Sequence, residues 1–162
     1  MEASQSLQIE YEQTTQLLRT LTDIRFKLLA FVPSIAGAAV AFMGAGHSAS
    51  ELLAVGALGL AATVGVLLYE LRNSELYDTV VERAAGLEEK LGLGLFRLVG
   101  SRRERGFGLV YGAALAGWTY LVVWGALRAL DVGDARTIGG VAGIVVGVAV
   151  VGEIERRARR TT

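Results

Sequence analysis

Few residues in this sequence could carry out chemistry. It contains no cysteine and one histidine, His47. Disulfides, thiolate zinc sites and cysteine nucleophiles are excluded, and a pair of histidine ligands for haem cannot be built. His47 stands in a glycine-rich segment at 44–50 with no second ligand beside it, which predicts a solvated loop residue. No G-x-S-x-G element is present. We therefore expect no enzyme, no cofactor, no metal site and no catalytic residue.

Charged side chains at the ends of apolar segments are the next candidates. Glu70 and Arg72 close an apolar stretch and precede a polar one. They are the candidates for a gate or a signal contact, because they join a predicted membrane helix to a predicted cytoplasmic one. The alternative is that both side chains only reach towards water and anchor the helix end.

These residues are positioned by a chain made mostly of apolar stretches. The 162 residues are 52% hydrophobic, with a mean hydropathy of +0.46. Four intervals contain no charged residue: 28–50, 52–69, 106–127 and 137–152. About 20 apolar residues cross a hydrocarbon layer of about 30 Å. We predict membrane spans at 28–46, 52–71, 106–127 and 137–154, of which the last is the shortest.

The basic residues predict how these spans are oriented. Fourteen of the sixteen lysines and arginines fall before the first span, between the second and third, or after the fourth. By the positive-inside rule, both termini and the middle segment are cytoplasmic, which places the chain in the inner (plasma) membrane. The net charge of zero argues against a nucleic-acid partner. The abundance of arginine over lysine suggests a bacterial source.

Three cytoplasmic segments follow: an N-terminal helix at 1–27, a segment at 73–105 and a basic tail at 155–162. Residues 7–28 repeat apolar positions at about 3.5-residue spacing, interrupted by Thr14 and Arg25, which is typical of a helical stalk, a surface helix or a short coiled coil. Residues 74–91 form an amphipathic helix that Asn73 or Ser74 caps and Gly92 ends.

The apolar face of this second helix predicts a protein contact. The acidic outer face of this helix would be repelled by anionic lipid. We therefore expect the apolar face to pack on the N-terminal helix of the same or a neighbouring subunit, or on a cytoplasmic protein. The face consists of Leu76, Tyr77, Val80, Ala84, Leu87 and Leu91. The basic side chains that follow either contact lipid headgroups or only anchor the next span. They are Arg102, Arg103 and Arg105.

Glycine is the recurring residue of the predicted spans, which hold 16 of the 21 glycines. Small residues four apart let helix backbones approach closely. The helix-packing residues predicted in spans three and four are Gly108, Gly112, Ala116, Gly139, Gly143 and Gly147. Span two offers Ala57, Ala61 and Gly65. Both packing within one subunit and packing between subunits fit this pattern.

The order of elements over residues 7–91 resembles the layout of SLATT-type bacterial membrane effectors: an N-terminal helix, two spans with a short outer loop, then a cytoplasmic helix. This resemblance implies a pore that opens when a partner or a signalling ligand reports infection. Two further spans extend beyond that layout, and no functional residue is carried over.

Together these patterns predict an all-α fold: an integral membrane four-helix bundle with an N-terminal cytoplasmic helix and a cytoplasmic amphipathic helix between spans two and three. Apart from His47 in its predicted loop, no Asp, Glu, Lys, Arg or His lies inside the charge-free intervals, which argues against a proton-coupled exporter. We expect a homo-oligomeric pore or channel-like effector in the lipid bilayer. The alternative is a non-conducting scaffold or a subunit of a larger membrane complex.

Overall fold

The computed structural model describes residues 2–42, 46–96 and 105–160, in which the regular secondary structure is all α-helix. Its four helices are α1 (Glu2–Phe42), α2 (Ala49–Leu91), α3 (Arg105–Ala129) and α4 (Ala135–Arg160). The chain divides into two compact units. Unit 1 comprises Met1–Leu28 with Leu68–Arg102, and unit 2 comprises Leu29–Leu67 with Arg103–Thr162. The predicted all-α class is confirmed.

Three helices in the described residues are long and apolar enough to cross a membrane, and this indicates a membrane protein. They are Ala49–Leu91, Gly106–Ala129 and Ala135–Arg157. They contain the predicted spans at 52–71, 106–127 and 137–154. The predicted first span at 28–46 is not among them. It belongs to α1 as far as Phe42, and residues 43–45 lie outside the described residues, so this span stays a prediction.

The first two helices are longer than the sequence patterns indicate. Pro33 lies inside α1 and does not end it. The predicted helix start at Asn73 or Ser74 is wrong, because α2 runs through both positions without a break. Both side chains are buried. They are therefore part of a packed face, and the N-terminus of α2 lies more than 20 residues earlier, at Ala49.

A single seam explains why α2 continues. Positions along α2 in alternating steps of four and three residues are all buried or half-buried. This is the spacing that keeps one face of a helix turned towards a neighbouring helix. The seam residues are Leu52, Gly56, Gly59, Thr63, Val66, Glu70, Asn73, Tyr77, Val80, Ala84, Leu87 and Leu91.

Both ends of α2 have recognisable caps. At its start the backbone N–H of Ser48 donates to Glu51 Oε2 (2.9 Å), and the N–H of Glu51 donates to Ser48 Oγ (3.3 Å), which is a capping box. At its end Gly92 has a φ of +73°, and the N–H of Leu93 donates to the carbonyl of Glu88 (2.8 Å). This is a Schellman motif, and the predicted end of the helix at Gly92 is confirmed.

Close backbone contacts hold α3 against α4 in unit 2. A Cβ built on Gly143 would lie 2.5 Å from the carbonyl oxygen of Ala116, and one on Gly147 would lie 2.9 Å from that of Gly112. Gly139 is similarly close to the Tyr120 carbonyl, at 3.1 Å. Of the helix-packing residues proposed from the sequence, Gly143 and Gly147 therefore lie against Ala116 and Gly112 of the same chain. Gly108 is the looser member, because its Cβ would only reach ordinary contact with Ile154, at 3.6 Å.

The face of α2 that contacts α3 differs from the predicted one. A Cβ on Gly59 would lie 2.5 Å from the Trp118 ring, and one on Gly56 would lie 2.9 Å from the Val122 nitrogen. The predicted residues Ala57, Ala61 and Gly65 are exposed. Both sets contain small residues, so only the register of the seam distinguishes the face that packs. Trp118 is buried against Leu52 and Leu121.

We predict opposite effects for the same substitution at two neighbouring glycines of α4. Gly143→Ala forces a methyl group against a backbone carbonyl and should lower the free energy of unfolding by about 1–3 kcal/mol. Gly140→Ala has nothing within 4 Å of the added carbon and should raise it by about 0.5–1 kcal/mol through helix propensity. Thermal unfolding in detergent measures both. Equal shifts would contradict the close α3–α4 contact.

Candidate functional site

The polar contacts of unit 1 join its two helical segments as an antiparallel pair. Tyr11 contacts Glu88, Glu10 contacts Arg83, and Arg25 contacts Glu70. From the neighbouring contacts at Glu10 and Tyr11 to the contact at Arg25, the residue numbers rise along α1 and the partners' numbers fall from 83 and 88 to 70 along α2, so the segments run in opposite directions. The buried positions of α1, including Leu18 and Leu21, keep the spacing of four and three. This arrangement is an antiparallel coiled-coil pair within one chain.

Arg25 and Glu70 form an ion pair inside this helix pair. The Arg25 Nε lies 2.7 Å from Glu70 Oε1, and the Glu70 side chain is completely buried. Arg25 Nη2 also donates a long hydrogen bond to Ser74 Oγ, at 3.5 Å. Among the described residues neither carboxylate oxygen of Glu70 has an aligned hydrogen-bond donor. The contact is therefore an ion pair between a half-buried guanidinium and a completely buried carboxylate.

The candidates for a gate or signal contact are separated by the structure. Glu70 lies on the buried seam, whereas Arg72 is exposed about 200° around the helix at 100° per residue. The partner of Glu70 is Arg25, which in the sequence only interrupts an apolar repeat. The one feature of the sequence that relates Arg25 to Glu70 is that each occupies a seam position, on two helices that run antiparallel. No spacing along the chain relates residues 45 positions apart.

Glu88 is a second buried carboxylate, which the sequence patterns did not single out. It is 1% exposed, and its two oxygens have different partners. The Tyr11 hydroxyl donates to Oε1 (2.9 Å), and the Phe96 N–H donates to Oε2 (2.7 Å). Burial, and then the carboxylate of Glu88, raise the pKa of Tyr11, so its hydroxyl stays protonated as a donor. Glu88 thus connects α1 to the chain that follows α2.

The predicted interaction face of α2 divides into two parts. Ala84 and Leu87 are buried, while Leu76 is 52% exposed. Tyr77, Val80 and Leu91 are half-buried. The contact with α1 therefore uses most of the predicted face but leaves Leu76 outside it.

The remaining predicted site residues lie apart from the helix pair. Arg102 and Arg103 lie outside the described residues, and the side chain of Arg105, the first residue of α3, is not described. His47 lies in the loop before α2 and is half-buried. Its Nδ1 lies 3.2 Å from Glu51 Oε2, and its carbonyl accepts a hydrogen bond from Arg128 (3.2 Å). The described residues contain no group of three metal-ligating side chains.

No protein-family model matches the chain, and no curated protein and no solved structure is detectably similar to it. The buried polar contacts of unit 1 are therefore the basis for a functional proposal. They are two layers, Tyr11 with Glu88 and Arg25 with Glu70, set 14 residues apart on α1 and 18 apart on α2.

We predict that Glu88 stabilises unit 1 far more than a nearby exposed glutamate does. Glu88→Ala removes the acceptor of two donors and should cost about 1–3 kcal/mol for each donor left buried and unsatisfied. Glu82→Ala, on the exposed side of the same helix, should change stability by less than about 0.5 kcal/mol. Chemical denaturation in detergent micelles compares them. Tyr11→Phe should cost less than Glu88→Ala, since it removes only one of the two hydrogen bonds.

Proposed function

We propose that this protein is a homo-oligomeric, channel-like effector of the bacterial inner membrane. In this proposal it is not an enzyme. The helix pair of unit 1 receives a signal from a cytoplasmic protein or ligand, and the apolar helices respond in the bilayer. The observation that carries the proposal is the completely buried Glu70 carboxylate, which lies 2.7 Å from the Arg25 guanidinium across α1 and α2.

Such a pair is a costly way to hold two helices together. Burying two charges costs several kcal/mol per ion, and apolar side chains of similar volume are often as stable or more stable. What the charges add is a specific register of α1 on α2, because each needs the other. A signal that displaces either partner leaves an uncompensated buried charge. The helix pair is then destabilised at once, which is the behaviour a switch needs.

The apolar helices supply the membrane part of the proposal. Many large apolar side chains of α2 and α4 are exposed, as expected for surfaces that face lipid or another subunit. They include Leu53, Leu58, Val64, Leu68, Ile138, Val141, Ile144, Val145 and Val148. Ala57, Ala61 and Gly65 are exposed opposite the Gly56–Gly59 contact and leave room for a second copy. A path lined by such residues gates by dewetting.

The charge distribution and the layout resemblance support the same proposal. Fourteen of the sixteen basic residues fall on the side that we place in the cytoplasm, with both termini and the segment at 73–105. The resemblance of residues 7–91 to SLATT-type effectors points to a pore controlled from that side. The first span at 28–46 is part of this proposal.

A non-conducting scaffold or membrane subunit is the second candidate. It is favoured by the absence of any Asp, Glu, Lys, Arg or His within the four charge-free intervals, His47 in its predicted loop aside, since a wet channel usually has polar groups along its path. An oligomer that passes no solute in any state would support this candidate.

We predict that breaking the Arg25–Glu70 pair opens the channel, whereas replacing both partners keeps it closed. Arg25→Met strands the buried carboxylate and should raise dye or ion release from liposomes severalfold over wild type. Arg25→Met with Glu70→Leu restores an uncharged layer and should return release to the wild-type level. Arg72→Met is the matched control, an exposed arginine two residues from Glu70, and should behave as wild type.

Size-exclusion profiles and helical circular dichroism of each variant separate opening from unfolding. If no folded variant releases solute, the channel function is wrong and the scaffold takes its place. If Arg72→Met releases as much as Arg25→Met, the ion pair does not control release.

A further inference from the structure

Unit 1 has an apolar strip on one flank of its helix pair. Leu17 on α1 is 48% exposed, and Leu76 and Tyr69 on α2 are each 52% exposed. Ile24 on α1 is half-buried. We call these four residues the flank strip. It includes Leu76, the member of the predicted interaction face that the contact with α1 leaves uncovered.

The register of the helix pair places these residues side by side. The ion pair between Glu10 and Arg83 marks the flank, because both residues immediately precede seam positions, Tyr11 and Ala84. One heptad further along α1, and one heptad back along α2, Leu17 falls opposite Leu76. One more heptad places Ile24 opposite Tyr69. The flank therefore consists of one charged layer followed by two apolar layers.

Apolar residues at these positions are unusual for an isolated pair of helices. In a two-stranded coiled coil the positions that flank the seam are commonly charged and pair across the interface, as Glu10 and Arg83 do. Apolar residues at a flanking position in addition to the seam are typical of helices in larger bundles. Both helices of unit 1 have this pattern, so the pair supplies two of the four helices that a four-helix bundle contains.

We propose that the flank strip is covered by the same strip of a second copy of this chain, so that two helix pairs form a four-helix bundle. This inference rests on the homo-oligomer of the proposed function and names the surface that forms it. A two-fold axis parallel to the helices sets α1 of one copy beside α2 of the other. Each layer then meets its own counterpart, and the interface is self-complementary.

The charges on the flank favour this occupant. Around the four helices the charged layer reads Glu10, Arg83, Glu10, Arg83, so each carboxylate has a guanidinium on both sides. In the next layer, Leu17 of one copy contacts Leu76 of the other. In the layer after that, the aliphatic side chain of Ile24 contacts the aromatic ring of Tyr69. A partner of one charge sign could match Glu10 or Arg83 but not both.

Cross-linking tests this contact directly, because the chain has no cysteine of its own. Leu17→Cys and Leu76→Cys are made in separate, differently tagged chains, mixed in detergent and co-reconstituted in liposomes. Under mild oxidation we expect a disulfide dimer containing both tags. The matched control is Thr20→Cys with Thr79→Cys, both away from the seam, which should yield severalfold less.

A second measurement keeps the result interpretable. Leu76→Glu should shift the oligomer to monomer by native mass spectrometry, and Thr79→Glu should not. Equal cross-linking of the two cysteine pairs, or an unchanged oligomer in Leu76→Glu, overturns the proposal. If the Leu76→Cys variant resists a membrane-impermeant maleimide and yet does not cross-link, lipid covers the strip and the proposal is equally wrong.

The result is separate from that of the channel assay. Cross-linking without solute release under any condition supports this interface and refutes the channel. Release without specific cross-linking refutes this interface and leaves the channel, assembled through other faces, in place.

Discussion

The seam along α2 is the constraint on which most other contacts depend. A 43-residue helix presents a continuous face to its neighbours only if the buried positions recur every 3.5 residues, and on α2 they do so from Leu52 to Leu91. What changes along the seam is its chemistry. Near Gly56 and Gly59 the absence of side chains allows a backbone and an indole ring to approach. From Glu70 onwards, polar side chains enter the seam and need partners of their own.

The polar layers make the contacts of unit 1 specific in a way that apolar layers cannot. Leucine packs acceptably against many neighbours, so an apolar seam tolerates a shift by a heptad. Arg25 and Glu88 do not tolerate it, because a shifted register buries a charge without its partner. Unit 2 obtains specificity by another route. The fit of Gly143 and Gly147 against backbone carbonyls of α3 excludes any register that places a side chain there.

Residues 7–28 and 74–91 show which structural features the sequence patterns predict correctly and which they do not. Their helical conformation and the cap at Gly92 followed from periodicity and from the conformational freedom of glycine. The predicted helix start at Asn73 or Ser74 is wrong, because Asn73 is a buried seam position and Ser74 is buried beside it. The sequence pattern does not distinguish Glu88 for a similar reason, because a glutamate on an amphipathic helix usually faces water. The spacing of Ala57, Ala61 and Gly65 predicts a packing face, but spacing alone does not distinguish two small-residue faces of one helix.

The sequence by itself determined the helical class, three helices apolar enough to cross a membrane, and the distribution of charge, because each is a property of composition or local periodicity. Only the tertiary structure decided which charged residues are buried together, which glycines make contact and which apolar side chains remain exposed. The physical reason is that pairing across helices depends on their mutual register. Arg25 and Glu70 are 45 residues apart along the chain, and only the antiparallel packing of α1 on α2 brings their side chains within 2.7 Å.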